Sequence, residues 1–454
     1  MKKNTKNFTE YHQSTFITDI TNLEIVDGFF AKKDIPAFIH EYCHYIQDIT
    51  TISSIFGFYL LMADIVNLTQ IFSTGEGKLI SIPLDRDKYR ESINKFRKYY
   101  NLYCGDSNNV CEIDYSIYDS FNRENIKKEV DLDGKKQILA SNHFNLIGCD
   151  GKKVHFGLIV LQEIQAFYAQ QMAELMLYGT EFSKPSDKLP SFPYKFGEFL
   201  FEKYNIEIDL ESKFILIDLC LDTVQAPTIF LNVLEIIQGQ KISYFGDNKT
   251  DFIKLVEDCR KNCSYSKNEA LDNIIVDLKI WSKDKNRKYL AAALEWYLEQ
   301  IETANILKNL NEFINAKTLF SLGFCTCWER FHLLYKCFPS PVYLKKGVLF
   351  RNIDSESEDG DKEFIKSFEA ATTIWSHRLL YDLLCSENLT QITEKAICPL
   401  YDNCHKRKEI DDDYTCKQTP WNIIKNKKNI ICQYGMAAHS FGLWQNELLI
   451  KNEC

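Results

Sequence analysis

His40, Glu41 and His44 are the residues whose types and spacing could do chemistry. They lie in the run Asp34-Ile35-Pro36-Ala37-Phe38-Ile39-His40-Glu41-Tyr42-Cys43-His44-Tyr45-Ile46-Gln47-Asp48. Residues four apart on a helix stand one above the other, so both imidazoles can reach one zinc ion. Glu41 points to the neighbouring face, close enough to take a proton from a water on that ion. Zinc lowers the pKa of such a water to about 7, which makes hydroxide available at neutral pH.

A catalytic zinc held by two histidines needs a third protein ligand. Glu163 fits that vacancy. It lies in the apolar stretch Leu158 to Gln170, on the helical face that carries Phe156, Ile159, Val160, Ala166 and Phe167. A carboxylate on an apolar face must be paired, protonated or bound to metal, because burying it bare is prohibitive. Glu174, further along the same helix, is the reserve candidate. Asp48, one turn after His44, reads either as the partner that orients an imidazole or as a solvated helix residue.

A second cluster stands near the end of the chain. Cys398, Cys404 and Cys416 are separated by five and eleven intervening residues, and Cys432 or His405 is available as a fourth ligand. Four such groups could close around a structural zinc. Three cysteines near a proline could also hold an iron–sulfur cluster, although the spacing matches no standard ferredoxin pattern. The plain alternative is a set of reduced thiols in a cysteine-rich chain.

These side chains need elements to hold them. Apolar residues at Phe38, Ile39, Tyr42, Tyr45, Ile46 and Ile49 follow a helical period, which predicts a helix over about 35–51 with Asp34 as N-cap and Pro36 in its first turn. A second apolar helix is expected over about 53–72. Residues 74–157 are more polar, with a helical patch near 87–100. The pairs Asp133-Gly134 and Asp150-Gly151 stand between strand-like segments and signal hairpins. Helices follow near 210–224, 228–238, 251–263, 268–282, 286–309 and 311–322. The reading is a mainly α fold with a small antiparallel β-sheet. A first domain over 1–245 and a helical second domain over 246–454, carrying the cysteine module at about 398–432, are expected.

The motif resembles that of the zincins, the H-E-x-x-H metallopeptidases, through His40, Glu41 and His44. Glu163 with the small Ala166 three positions on is similar to the gluzincin branch. Two features depart from it: the interval from His44 to Glu163 is long, and Phe167 stands where several families have an acidic residue. No third histidine follows the motif closely, which separates the chain from the metzincins. The longer string through Thr51 is similar to an obscure group of bacterial H-E-x-x-H proteins. The resemblance implies a zincin-like core and a zinc metallopeptidase acting on a protein or peptide. A strand edge near the hairpins would bind extended substrate, unless those hairpins are purely structural. The bacterial group suggests a setting in defence or stress response.

The chain has 454 residues, 45% of them hydrophobic, enough for a substantial core. A net charge of −9 argues against general affinity for nucleic acid or anionic membranes. The basic start, Met1 to Phe8, is followed by no apolar segment, so no signal peptide is expected. The stretch 52–68 contains Asp64 and Asn67 and reads as a core helix, not a membrane span. Sixteen cysteines without an export signal point to a reducing, cytoplasmic setting. The rival to the peptidase reading is a non-enzymatic helical scaffold that binds zinc. In either case the second half could receive a regulatory protein partner.

Overall fold

Residues Ile35–Thr50 form a helix, α1, in which nearly every side chain is buried, His40, Glu41, His44, Gln47 and Asp48 included. Pro36 sits in its first turn, where a missing N–H leaves nothing unsatisfied. Asp34 does not cap it. Its backbone is already helical, and its Oδ2 accepts from the Glu24 N–H at 2.8 Å instead. Thr51 breaks the helix with extended backbone (φ −98°, ψ 137°), and its hydroxyl donates to the Gln47 carbonyl at 2.8 Å. The chain then restarts as α2 (Ile52–Ser73).

The computed structural model describes residues 10–12, 14–26, 29–74, 77–89, 95–105, 122–132, 135–147, 153–179, 192–239, 254–255, 258, 267–310, 338, 342–345, 348–350, 360–386, 398, 401, 413–423 and 432–450. The fold is predominantly helical, as expected. After α2 come α3 (Arg86–Tyr89), α4 (Lys95–Tyr99), α5 (Leu158–Tyr178), α6 (Phe196–Lys203), α7 (Leu210–Leu221), α8 (Ala226–Gly239), α9 (Lys267–Trp281), α10 (Lys288–Leu310), α11 (Gly360–Leu384), α12 (Asp413–Gln418) and α13 (Gln433–Ser440). The helices expected over 251–263 and 311–322 lie outside the described residues, entirely or nearly so.

The strands are β1 (Glu10–His12), β2 (Ile17–Asp19), β3 (Ile25–Val26), β4 (Phe29–Phe30), β5 (Leu79–Ile82), β6 (Asn122–Leu132), β7 (Lys135–Ile147), β8 (Lys153–Phe156), β9 (Val342–Lys345), β10 (Val348–Phe350) and β11 (Glu447–Ile450). The antiparallel sheet β6-β7-β8 carries the two hairpins. Leu132 pairs with Lys135, so two residues connect β6 to β7, as the sequence signal implied. Its strands are longer than the short segments the sequence suggested. The expectation of antiparallel pairing alone needs correction. β2 pairs with β9, and β5 with β11, both in parallel. Each joins segments hundreds of residues apart, and no local pattern announces a pairing of that kind.

α2 has the length and hydropathy of a membrane-crossing helix, yet its faces are covered by α1, α4, α7, α9 and α11. One buried apolar cluster runs from Phe16 to Leu443. Trp296 and Tyr297 of α10 pack on Phe16, and the Tyr297 hydroxyl donates to the Asp48 carbonyl at 2.9 Å. Tyr59 donates to Asp277 at 2.7 Å, and Arg287 to the Val66 carbonyl at 3.0 Å. Elements after residue 246 therefore support α1 and α2 directly. The expected boundary near 240–250 itself lies outside the described residues.

Candidate metal centre

α1 packs chiefly against α5, and the centre lies between them. The start of α5 is set by a close backbone approach. A Cβ on Gly157 would meet the Gly105 nitrogen at 2.4 Å and the Cys104 carbonyl carbon at 2.5 Å. Only glycine leaves that space, and six residues later the helix delivers Glu163.

His40 Nε2 lies 3.3 Å from Glu163 Oε2, and His44 Nε2 lies 3.4 Å from Glu163 Oε1. The two imidazole centroids are 5.1 Å apart. One donor atom from each of the three residues falls within 4.8 Å of the others. The His40 and His44 side chains are only 8% and 10% exposed, whereas Glu163 keeps 25%, so the carboxylate side is the open one.

The tautomer of His44 follows from its neighbours. Its Nδ1 lies 2.9 Å from Gln47 Oε1. The Gln47 amide nitrogen donates to the Gln162 carbonyl at 3.1 Å and to Gln165 Oε1 at 2.7 Å. The Gln165 amide nitrogen donates to Asp218 Oδ1 of α7 at 3.1 Å. A carbonyl or a carboxylate only accepts, so both amides are held one way round. Gln47 thus presents oxygen to His44, which carries its proton on Nδ1 and turns the Nε2 lone pair toward Glu163. Two acceptors then face each other in a buried place. Only a cation between them, a proton or a metal ion, makes that arrangement favourable.

Without metal the cation is a proton. Burial alone would push His44 down, but the Glu163 charge and hydrogen bond, the Glu41 charge and the Gln47 acceptor raise it to about 9. Burial likewise opposes the ionised form of Glu163, and the two imidazoles overcome it, holding the carboxyl well below its usual range. His40 Nδ1 is buried with no hydrogen-bond partner among the described residues. Two imidazole nitrogens and a carboxylate, one edge open, could hold a metal ion.

Glu41 is buried beside them, 5% exposed, and its charge acts on both His44 and Tyr194. Tyr194, from the segment before α6, stands with its ring 6.0 Å from His40 and 5.4 Å from Phe167. Burial, then the charges of Glu163 and Glu41, keep its hydroxyl protonated. Tyr168 turns away, toward Lys213 and Phe201.

The structure brings together His40, His44 and Glu163, with Glu41 adjacent. It does not bring Glu174 there; that residue accepts from Gln170, eleven positions and about 16 Å of helix from Glu163. Asp48 is not solvated. It is 3% exposed, and its Oδ2 accepts from the Ser14 N–H at 2.7 Å. Ser14 has φ 61°, so Asp48 pins an unfavourable turn that leads into β2. Gln47, at i+3 from His44, a spacing that places two side chains on one face, orients that imidazole. Gln162 and Gln165, amides among the apolar residues of Leu158 to Ala169, and Asp218 in Phe-Ile-Leu-Ile-Asp-Leu were the sequence signals for the rest of the chain of bonds. Tyr194 had none.

Compared with protein-family models, with curated proteins and with solved structures, the chain matches none.

Proposed function

We propose that the chain is a zinc-dependent metallopeptidase with a gluzincin-like centre, cleaving a protein or peptide. The observation that carries this reading is the convergence of His40 Nε2, His44 Nε2 and the Glu163 carboxylate, with Glu41 buried beside them. His40, His44 and Glu163 would hold the zinc, which would supply a water of pKa about 7 and a Lewis acid for a peptide carbonyl. Glu41, buried beside the three ligands, would take a proton from the attacking water and return it to the leaving amine. Tyr194, held neutral, donates its O–H to the developing oxyanion. Gln47 keeps the His44 proton on Nδ1, away from the ion. β8, an edge of the β6-β7-β8 sheet, runs into α5 through Gly157, which makes it a strand that an extended substrate could join.

The seven described cysteines are all free of disulfides, which favours a reducing compartment and a cytoplasmic substrate. The link to bacterial defence or stress response rests only on the resemblance of the motif region.

The test is Glu41→Gln. The variant should bind zinc as the wild type does, and cleavage of its substrate, found by comparing peptide termini in cells expressing either form, should fall by about 100- to 10,000-fold. A biological effect that survives the change intact would favour the scaffold reading.

A further inference from the structure

The cysteines near the end of the chain form no second centre among the described residues. The donor atoms that come together there are those of His40, His44 and Glu163 alone, and Cys404 and His405 lie outside the described residues. The face of α5 beyond Glu163 carries a stronger signal, because its exposure is periodic. From Leu158 to Ala173 every residue of α5 is buried except Ile159, Glu163 and Gln170. Glu174 is partly buried, and Tyr178 is 39% exposed. Steps of four, seven, four and four residues keep these five on one side of a helix. The accessible stripe of α5 therefore passes through the metal centre and continues for about 22 Å to Tyr178, at about 1.5 Å per residue.

The opposite wall comes from α1. The two helices run antiparallel. The Gln47 amide meets the Gln162 carbonyl at one end, and the Tyr178 hydroxyl donates to the Lys32 carbonyl at 3.2 Å at the other. In α1 only Ala37 escapes burial, and it stands three positions before His40, on the face that carries both histidines. A small side chain there leaves the seam between the helices open. Tyr194 borders the same seam, its ring 5.4 Å from Phe167.

Two groups in the seam have capacity to spare. The Glu174 carboxylate accepts from the Gln170 amide at 3.1 Å and forms no ion pair among the described residues. Burial raises its ionisation, and the Gln170 bond offsets only part of that. A partly desolvated carboxylate held by one neutral amide is a seat for a cationic side chain. Tyr178 has the Lys32 ammonium over its ring, 5.2 Å from the centroid, and shows the rest of the ring to solvent. That surface suits an apolar side chain.

We propose that this stripe is the substrate groove, in which Glu174 receives a Lys or Arg side chain of an extended polypeptide and Tyr178 an apolar side chain beyond it; the proposal rests on the peptidase reading above. Glu174 lies about 16 Å along the helix from Glu163, and Tyr178 about 22 Å. An extended chain advances about 3.3 Å per residue. The basic residue therefore falls about five residues from the bond at the metal centre, and the apolar one about seven. The favoured substrate is an extended stretch of protein and not a dipeptide.

The test uses the zinc-loaded, full-length protein and a random peptide library, read in two ways: the peptides retained by Glu41→Gln, and the new termini made by wild type. Retained peptides should be rich in Lys or Arg with an apolar residue two positions away. Cleaved ones should carry that pair about five and seven residues from the cut. Glu174→Arg, placed in either form, should lower the preference for Lys or Arg by about 10-fold or more. Should that variant fail to fold, Glu174→Gln, which keeps the shape, should lower it by about 3-fold. Tyr178→Ala should weaken only the apolar preference. Retention by this rule with no cleavage by wild type would leave the groove standing and end the peptidase reading. Cleavage whose preferences ignore both Glu174→Arg and Tyr178→Ala would overturn the groove and leave the peptidase reading intact. Neither retention nor cleavage would overturn both.

Discussion

His44 and His377 are both buried histidines on long helices, and both have Nδ1 engaged by a neighbour one turn away. His44 Nδ1 meets Gln47 Oε1 at 2.9 Å, and His377 Nδ1 meets the Thr373 carbonyl at 2.7 Å. Their ionisation moves in opposite directions. His377 is lowered to about 4 by burial, only partly offset by the Thr373 carbonyl. His44 is raised to about 9, because Glu163 and Glu41 outweigh the same burial effect. His377 Nε2 is buried with no partner among the described residues, facing the Phe441 ring at 6.1 Å. His44 Nε2 faces a carboxylate. A buried imidazole is thus not a site by itself. It becomes one when a buried negative charge makes the space between them demand a cation.

The sharpest way to break this contrast is to remove the charge. Glu163→Gln keeps the shape and deletes the anion. Zinc affinity, read by competition with a chelator, should fall about 100-fold or more. In the metal-free variant, NMR titration should find His44 far below its wild-type value near 9, moving toward the behaviour of His377. A His44 that still titrates near 9 would show that Glu163 is not the cause.

The second comparison is of stability against pH. His377 has a folded pKa below its ordinary 6.5, so the folded state binds fewer protons than the unfolded one in between. Its contribution is present above pH 6.5 and lost as pH falls toward 4, a total of about 3 kcal/mol. His44 without metal has the reverse sign: its contribution is present below 6.5 and lost as pH rises through about 9. Denaturant unfolding of wild type and His377→Leu at several values between pH 7 and 4 should give a smaller acid loss in the variant. Equal slopes would remove His377 from the account.

A smaller effect is expected along the amide chain. Gln47→Met leaves the ligands in place and frees the His44 tautomer, so zinc affinity should drop by about 10- to 100-fold. Gln165→Met should cost less, because the Gln162 carbonyl still orients Gln47. If Gln165→Met weakens zinc more than Gln47→Met does, the direction of the chain of bonds has been misread.

What could be read without coordinates was local. The four-residue spacing of His40 and His44 implies one helical face wherever the helix forms, and the apolar flanks require that it form. Glu163 was legible because a carboxylate amid Ile159, Val160, Ala166 and Phe167 needs a partner. The pairing of β6 with β7 was legible because Asp-Gly between two strand-like segments signals a two-residue connection, and Leu132 does pair with Lys135. Asp48 was misread for an instructive reason. Spacing from His44 placed it one turn on, but α1 is buried on nearly every side, so a neighbour on the far side, Ser14, claimed it. Helical period says which residues share a face. It does not say what each face meets.

The amino-acid order alone therefore decided that two imidazoles and a glutamate would stand on one helix, and that a second carboxylate would be buried on another. Three-dimensional packing decided the rest: that Glu163 meets both imidazoles, that Gln47, Gln165 and Asp218 fix the proton on His44, that Tyr194 stands beside His40, and that β2 and β5 find strands from the far end of the chain. The physical reason is range. Helix and turn preferences act over a few residues, whereas a hydrogen bond between α5 and α7, or a parallel strand pair, exists only after the apolar core has brought distant segments together.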